Sequence, residues 1–243
     1  ITERIDNTTR IPSEYRRSAP PAPRSVKIEI SPRCNYRCGF CALRTRESQP
    51  RWDMDFGLFK RITREMRDAG VQEVGVFFLG ESFMNPRLLV DCIEYLKTDL
   101  AMPYVFLTSN ASMAFPEAVE ACMKAGLDSL KWSVNAADRD QFEEIMAVSG
   151  KLFDRALDNI AAAFQTRARN GYRTGLYASS IKYDGAQQQK MEALLASRVK
   201  PFVDQHYWLP LYSMGAFATQ REEELGFRPT AGNQGRKIGR AHV

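Results

Sequence analysis

Apolar and polar positions along the chain switch between two periods. Residues 26–30, Val-Lys-Ile-Glu-Ile, alternate as a strand does. Residues 56–69 instead put Leu58, Phe59, Ile62 and Met66 on one helical face, with Asp55 placed to cap the start and Gly70 to stop it. Residues 74–79 are a continuous apolar run, the mark of a strand covered on both faces. The succession then recurs. Asn85-Pro86 opens a helix through Lys97, a third strand covers 104–108, Pro116 and Gly126 bound a helix, and 127–134 is a fourth strand. Helical periodicity over 151–168 and 186–197 is followed each time by a strand, at 173–181 and 203–209.

Six strands alternating with helices predict parallel βα units of an α/β protein. Right-handed connections and short loops reduce the arrangement to an open doubly wound sheet or a curved partial barrel, and periodicity leaves both open. Residues 1–25 form a polar lead-in whose Pro20, Pro21 and Pro23 exclude regular helix. Residues 26–209 are the expected core. Residues 210–236 have weak periodicity and four glycines, Gly215, Gly226, Gly232 and Gly235, as a bridge to a further segment would. Residues 237–243, Lys-Ile-Gly-Arg-Ala-His-Val, spell the translation of the start of a common sequencing adapter. The expectation is that the native chain runs on past Arg236.

Composition narrows the class. With 243 residues, 44% hydrophobic and 26% charged, the chain is globular and not disordered. No apolar run reaches about eighteen residues, so no membrane association is expected. The net charge is +5, and residues 1–51 hold eleven Lys and Arg against five Asp and Glu. That excess reads either as ordinary solvated arginines or as a basic surface near an anionic cofactor or substrate. No long Lys/Arg run with interleaved aromatics accompanies it, so nucleic acid is not an expected partner. His206 and His242 are the only histidines, which argues against histidine-based catalysis.

Three of the five cysteines fall in Cys34-Asn35-Tyr36-Arg37-Cys38-Gly39-Phe40-Cys41, directly after the first strand. Such clustering points to metal binding in a reducing, cytoplasmic compartment rather than to disulfides. Thiolates favour zinc or iron–sulfur sites. Structural zinc normally takes four protein ligands, yet Cys92 and Cys122 sit in apolar stretches of separate predicted helices, as core residues do. Three thiolates with one vacant corner suit a [4Fe–4S] cluster whose fourth iron binds something else. Gly39 would permit an unusual backbone angle as the loop wraps around it. A zinc- or cluster-stabilised non-catalytic binding module is the competing reading.

The spacing Cys34-x3-Cys38-x2-Cys41, with Phe40 before the last cysteine, resembles the radical S-adenosylmethionine (AdoMet) superfamily. The resemblance implies a partial (β/α)6 TIM-like barrel with the cluster on the loop after strand one. It also implies AdoMet chelated to the unligated iron and cleaved reductively to a 5′-deoxyadenosyl radical that abstracts substrate hydrogen. Leu79-Gly80-Glu81-Ser82 is similar to the family's Gly-Gly-Glu-Pro motif, which binds the AdoMet amino group, although the first glycine and the proline are replaced. Ser109-Asn110-Ala111 resembles its Thr-Asn-Gly turn, and Ser133-Val134-Asn135-Ala136 its Ser-Ile-Asp-Gly element. Ser179 on strand five is a further candidate for the ribose or carboxylate. Phe40, Gly80, Glu81, Ser109, Asn110, Ser133, Asn135 and Ser179 are thus the expected AdoMet residues, and Cys34, Cys38 and Cys41 the cluster ligands. Glu81 either meets the AdoMet ammonium or accepts bonds from the adjoining turn.

Residues 27–30 before Cys34, together with Gly232-Asn233-x-Gly235, resemble members carrying a cysteine-rich SPASM or twitch extension. That resemblance implies auxiliary iron–sulfur clusters in a segment beyond this chain. It also implies a reducing partner such as flavodoxin or ferredoxin, and a peptide or carbohydrate-like small molecule as substrate.

Overall fold

A computed structural model describes residues 13–44, 51–183, 185–213 and 231–232. Six parallel strands form one sheet: β1 (Ser25–Lys27), β2 (Glu73–Gly75), β3 (Tyr104–Ser109), β4 (Ser129–Ser133), β5 (Gly175–Ile181) and β6 (Gln205–Leu209). Each pairs with the next in the chain. That order decides between the two arrangements. A doubly wound sheet reverses its strand order at a switch point, whereas sequential right-handed crossovers keep the helices on one face and curl the sheet. The fold is a partial (β/α)6 TIM-like barrel, and the C-terminal strand ends share one mouth.

The helices are α1 (Phe56–Asp68), α2 (Pro86–Glu94), α3 (Pro116–Lys124), α4 (Arg139–Met146), α5 (Lys151–Asn170) and α6 (Gly185–Leu194). Asp55 caps α1 by accepting from the Leu58 N–H at 2.8 Å. Asn85 caps α2 by accepting from the Leu88 N–H at 3.2 Å, with Pro86 leading the helix. Beyond α1 and α3, Gly70 and Gly126 turn the chain at φ +95° and +97°. Strand alternation splits the sheet into two faces. Leu107, Leu130, Trp132, Leu176 and Ala178 are buried against the helices. Phe106, Lys131 and Tyr177 take the opposite, inward face.

Two departures from the expected pattern shape the site. Strands β1 and β2 are shorter than residues 26–30 and 74–79, because the chain leaves the ladder after Lys27 and Gly75. The Leu79 and Gly80 N–H groups donate instead to Glu29 Oε1, at 2.9 and 2.8 Å. Helix α4, absent from the expected pattern, is capped by Asp138, which accepts from the Gln141 N–H at 2.9 Å. It buries Phe142, Ile145 and Met146.

A parallel pair, Tyr212–Ser213 with Ala231–Gly232, follows β6. Most of the expected bridge, the adapter-like tail and the start of the lead-in lie outside the described residues. Among the described residues no helix is long and apolar enough to cross a membrane.

Candidate functional site

A cleft of about 660 Å³ opens at the C-terminal ends of the strands. Its lining brings together Cys34, Cys38, Cys41 and Phe40 from the loop after β1 with Gly80 and Glu81 from the loop after β2. Ser109 and Asn110 after β3, and Ser133 and Asn135 after β4, complete it. Ser179, the remaining expected residue, is buried on β5 beside Tyr207 and does not line the cleft. Tyr36, Phe77, Phe78 and Thr108 line it without a sequence signal that singled them out. A more open groove of about 840 Å³ between α1 and α2, lined by residues such as Lys60, Arg64 and Glu94, contains none of the expected residues.

The cysteine loop is fixed from two sides. The Arg37 and Gly39 N–H groups donate to Met146 O and Ile145 O, at 2.9 and 2.8 Å, so the C-terminal end of α4 holds the loop. The Tyr36 and Phe142 rings meet edge to face, with centroids 5.2 Å apart. Gly39 serves through this contact and is not among the positive-φ glycines of the described residues. On the other side, Asn110 Nδ2 donates to Asn35 Oδ1 at 3.0 Å and approaches Cys34 Sγ at 3.9 Å. Asn35 Nδ2 donates to Ser112 Oγ, and Ser112 Oγ donates to Asn110 Oδ1, each at 2.8 Å. This closed ring of side chains ties the loop to the turn after β3.

Gly80 is set by a close approach. A Cβ there would lie 2.0 Å from Ser31 O, in the segment leading to Cys34. The Glu81 N–H donates to Arg33 O in the same segment at 2.8 Å. Asp53 braces it from outside, accepting from Ser31 Oγ at 2.7 Å, Arg33 at 2.6 Å and Asn85 Nδ2 at 2.8 Å. Partial burial opposes the ionised form of Asp53, but these bonds outweigh it and hold its pKa below the usual carboxylate range.

Glu81 is buried, and its carboxylate crosses to β3. Oε2 accepts from the Asn110 N–H at 2.7 Å, and Oε1 from Ser109 Oγ at 2.9 Å and the Phe83 N–H at 3.1 Å. Burial raises its pKa against the pull of these bonds. Of the two readings of Glu81, the acceptor for an adjoining turn is the one these contacts fill. Ala111, where the family turn has glycine, adopts φ +67°. Asn135 Oδ1 accepts from the Ile181 N–H at 3.1 Å, so its side chain joins β4 to β5. The Ser133 hydroxyl makes no hydrogen bond among the described residues. His206 and Trp208 share the helix-side face, with rings 4.9 Å apart, and His206 Nε2 lies 3.0 Å from Ser180 Oγ.

These donors fit an iron–sulfur cluster better than a single ion. Among the described residues no three His, Cys, Asp or Glu side chains converge on one metal ion. A four-iron cluster does not require that, since each thiolate takes a different iron. Burial raises the Cys34 pKa to about 12, while the Tyr36 N–H and Asn110 oppose that rise and favour the thiolate. Cys92 and Cys122 are fully buried in α2 and α3, away from the cleft.

Partial barrel, three-cysteine loop and strand-end turns together define a cluster-binding (β/α)6 protein. The Radical SAM superfamily model matches residues 28–177, and the chain belongs to that superfamily of [4Fe–4S]- and AdoMet-binding enzymes. It is 26% identical over 147 residues to an S-adenosylmethionine-dependent nucleotide dehydratase RSAD2 of Siniperca chuatsi, covering 60% of this chain and 36% of that one. It is 26% identical over 131 residues to a GTP 3′,8-cyclase of Desulforamulus reducens, covering 53% and 39%. The chain thus spans well under half the length of these curated relatives. Among solved structures, Streptococcus suis SuiB bound to S-adenosylmethionine superposes with TM-score 0.65 at 18% identity, over 85% of this chain and 47% of that one. Methylornithine synthase (PylB) gives 0.62 at 15% identity, over 85% and 57%. These likenesses carry the fold.

Proposed function

We propose that this protein cleaves AdoMet reductively and directs the resulting radical to hydrogen abstraction from a carbohydrate-like small molecule or a peptide, by way of maturation, epimerisation or dehydrogenation. The observation that carries the reading is the meeting of Cys34, Cys38 and Cys41 with the ends of β2, β3 and β4 in one cleft. The names of the relatives, which include a nucleotide dehydratase and a GTP cyclase, add nucleotides to the carbohydrate-like class.

Cluster and AdoMet, when bound, supply the electron and the 5′-deoxyadenosyl group. The chain's own residues do the rest. Cys34, Cys38 and Cys41 would hold three irons, with the Asn110 amide beside the Cys34 sulfur to stabilise its negative charge. Gly80 keeps the backbone after β2 against the loop leading to Cys34. Glu81 orients the Ser109–Asn110 turn toward the cleft, and the Ser133 hydroxyl is available to AdoMet. Phe40, Phe77 and Phe78 furnish apolar walls that exclude water from a reactive intermediate.

The reading includes a cytoplasmic location, flavodoxin or ferredoxin as electron donor, and auxiliary clusters in a SPASM or twitch segment beyond this chain. The test is anaerobic reconstitution with iron and sulfide, reduction, and measurement of 5′-deoxyadenosine. A cluster-loaded protein that forms none rejects the proposal.

A further inference from the structure

Two lysines inside the barrel are left unused by the cleft's chemistry. Lys27 on β1 is in register with Gly75, and a Cβ at Gly75 would strike the inward rings of Phe106 and Phe77. Lys131 on β4 is in register with Thr108 and Tyr177. The Lys27 ammonium lies 5.4 Å from the Phe77 ring centroid, and that of Lys131 lies 6.0 Å from Tyr207. Phe77, over which the Lys27 ammonium lies, and Thr108, the register partner of Lys131, both line the cleft, so the two lysines adjoin residues of its wall.

Neither ammonium is neutralised by a described residue. Among the described residues, neither lysine forms an ion pair or a hydrogen bond to a carboxylate. The carboxylates on and after β1 and β2 have other partners. Glu73 pairs with Arg24 at 3.1 Å, Glu29 accepts from Leu79 and Gly80, and Glu81 is committed to Ser109, Asn110 and Phe83. Burial lowers the pKa of both lysines, that of Lys131 to about 8 with the Lys27 charge adding to the effect. Lys27 nevertheless stays accessible and Lys131 half-buried, as expected for side chains in an open barrel interior. The Lys27 charge thus disfavours ionised Lys131, and an anion bound by both would relieve that cost.

We propose that Lys27 and Lys131 bind the phosphate groups of the substrate, so that the barrel takes a phosphate-bearing small molecule with its anionic end between the two lysines and the remainder in the cleft. That the bound molecule is a substrate rests on the radical reading above; the binding itself does not. Phosphate is favoured over carboxylate by the donor set. Two point-charge ammonium groups on different strands match a multiply charged, tetrahedral anion, whereas a planar carboxylate is best met by the arginine fork, which neither lysine offers.

The test is calorimetry on the anaerobically reconstituted protein with inorganic tripolyphosphate and GTP, using citrate as a carboxylate of similar charge. Tripolyphosphate and GTP should bind with an affinity that falls as salt rises. Lys27→Met and Lys131→Met should each weaken binding by about tenfold or more, and Lys131→Arg should largely retain it. Melting temperature, iron content and AdoMet affinity should hold in all three. Undiminished binding in both methionine variants, no binding of either phosphate probe to the folded protein, or tighter binding of citrate overturns the assignment. AdoMet cleavage followed in parallel separates the two proposals. Cleavage without phosphate binding refutes this site alone, and phosphate binding without cleavage refutes the radical reading alone.

Discussion

In Glu81→Gln the carboxylate that joins the loop after β2 to the end of β3 becomes an amide. The native group accepts three hydrogen bonds, from the Asn110 N–H at 2.7 Å, Ser109 Oγ at 2.9 Å and the Phe83 N–H at 3.1 Å. A glutamine has one oxygen, so one of the three must fail. With the oxygen toward Asn110, the shortest bond survives and Ser109 can accept from the new amide, but the Phe83 N–H is stranded. A buried donor left so costs about 1–3 kcal/mol. Burial already disfavours the ionised Glu81, so losing the charge offsets part of this and leaves a net cost of about 1–2 kcal/mol. At roughly 2–4 °C per kcal/mol for a chain of this size, the melting temperature should fall by about 2–8 °C. Glu81→Ala strands both backbone donors and should cost about 2–6 kcal/mol, less the relief of removing a buried charge. The assay pairs thermal unfolding with AdoMet affinity. A parallel loss of both is the expected result, because the cleft-lining turn that is proposed to meet AdoMet loosens with the fold. A loss of AdoMet affinity of about tenfold or more with the melting temperature unmoved would refute the bracing role and make Glu81 a direct ligand.

Four further outcomes are expected. Alanine at Cys34, Cys38 or Cys41 should abolish iron retention, whereas alanine at the buried Cys92 or Cys122 should cost about 1–3 kcal/mol and leave iron content intact, as iron analysis will report. Gly80→Ala should destabilise by about 3 kcal/mol or more and impair cluster assembly, because its Cβ would meet the Ser31 carbonyl at 2.0 Å; a normal melt and full iron loading would contradict the close approach. Asp138→Ala should remove about 1 kcal/mol with the cap of α4 and loosen the cysteine loop, giving faster loss of cluster under chelation. The Gln141 N–H, and then Lys190, hold the Asp138 pKa down in the folded state, so its contribution is present above the unfolded carboxylate pKa and lost as pH falls through the lower folded value. Acid titration of the melt in the wild type and in Asp138→Asn should therefore differ on the acid side and run parallel at neutral pH.

How far the sequence could be read depended on how local each signal was. Caps and stops were legible because they act within one turn: Asp55, Asn85, Gly70 and Gly126 do what their residue types dictate. The cysteine loop was legible by its spacing. The choice between an open sheet and a barrel was not, since strand order is a property of long-range pairing that periodicity does not carry. Helix α4 left a signal, Asp138 followed by Phe142, Ile145 and Met146, but eight residues offer little more than two turns of periodicity. Its function, clamping the cysteine loop through the Ile145 and Met146 carbonyls, lies in backbone atoms that every residue shares. Lys27 and Lys131 looked like polar members of alternating strands, and only the register set them on one inward face. Ser179 was in the right register, but it meets Tyr207 rather than the cleft.

The departures from the family motif after β2 have local physical replacements. Leu79 stands where the first glycine is expected, and its N–H joins that of Gly80 in donating to Glu29 Oε1, so one carboxylate holds the bend that a second glycine would otherwise ease. Ser82 stands where proline is expected. A proline there would restrict the chain by its fixed φ, whereas Ser82 Oγ donates to Val76 O at 2.7 Å and pins the same bend by a hydrogen bond. Gly80 and Glu81 are the two positions kept. One admits the Ser31 carbonyl, and the other spans to β3. The turn it reaches contains Ala111 at φ +67°, a conformation costing an ordinary residue about 1–2 kcal/mol. That strain is carried by bonds on each side of the residue, from the Asn110 N–H to Glu81 and from Asn159 Nδ2 to Ala111 O at 2.8 Å. Ala111→Gly should therefore be close to neutral, since relief of strain is set against a lost buried methyl and a more flexible unfolded chain. Ala111→Val should cost about 2 kcal/mol or more, because a β-branched side chain is excluded from that conformation. Equal stability of the two variants in denaturant unfolding would mean that the turn after β3 does not hold this geometry, and with it would fall the link between Glu81, Asn110 and the cysteine loop.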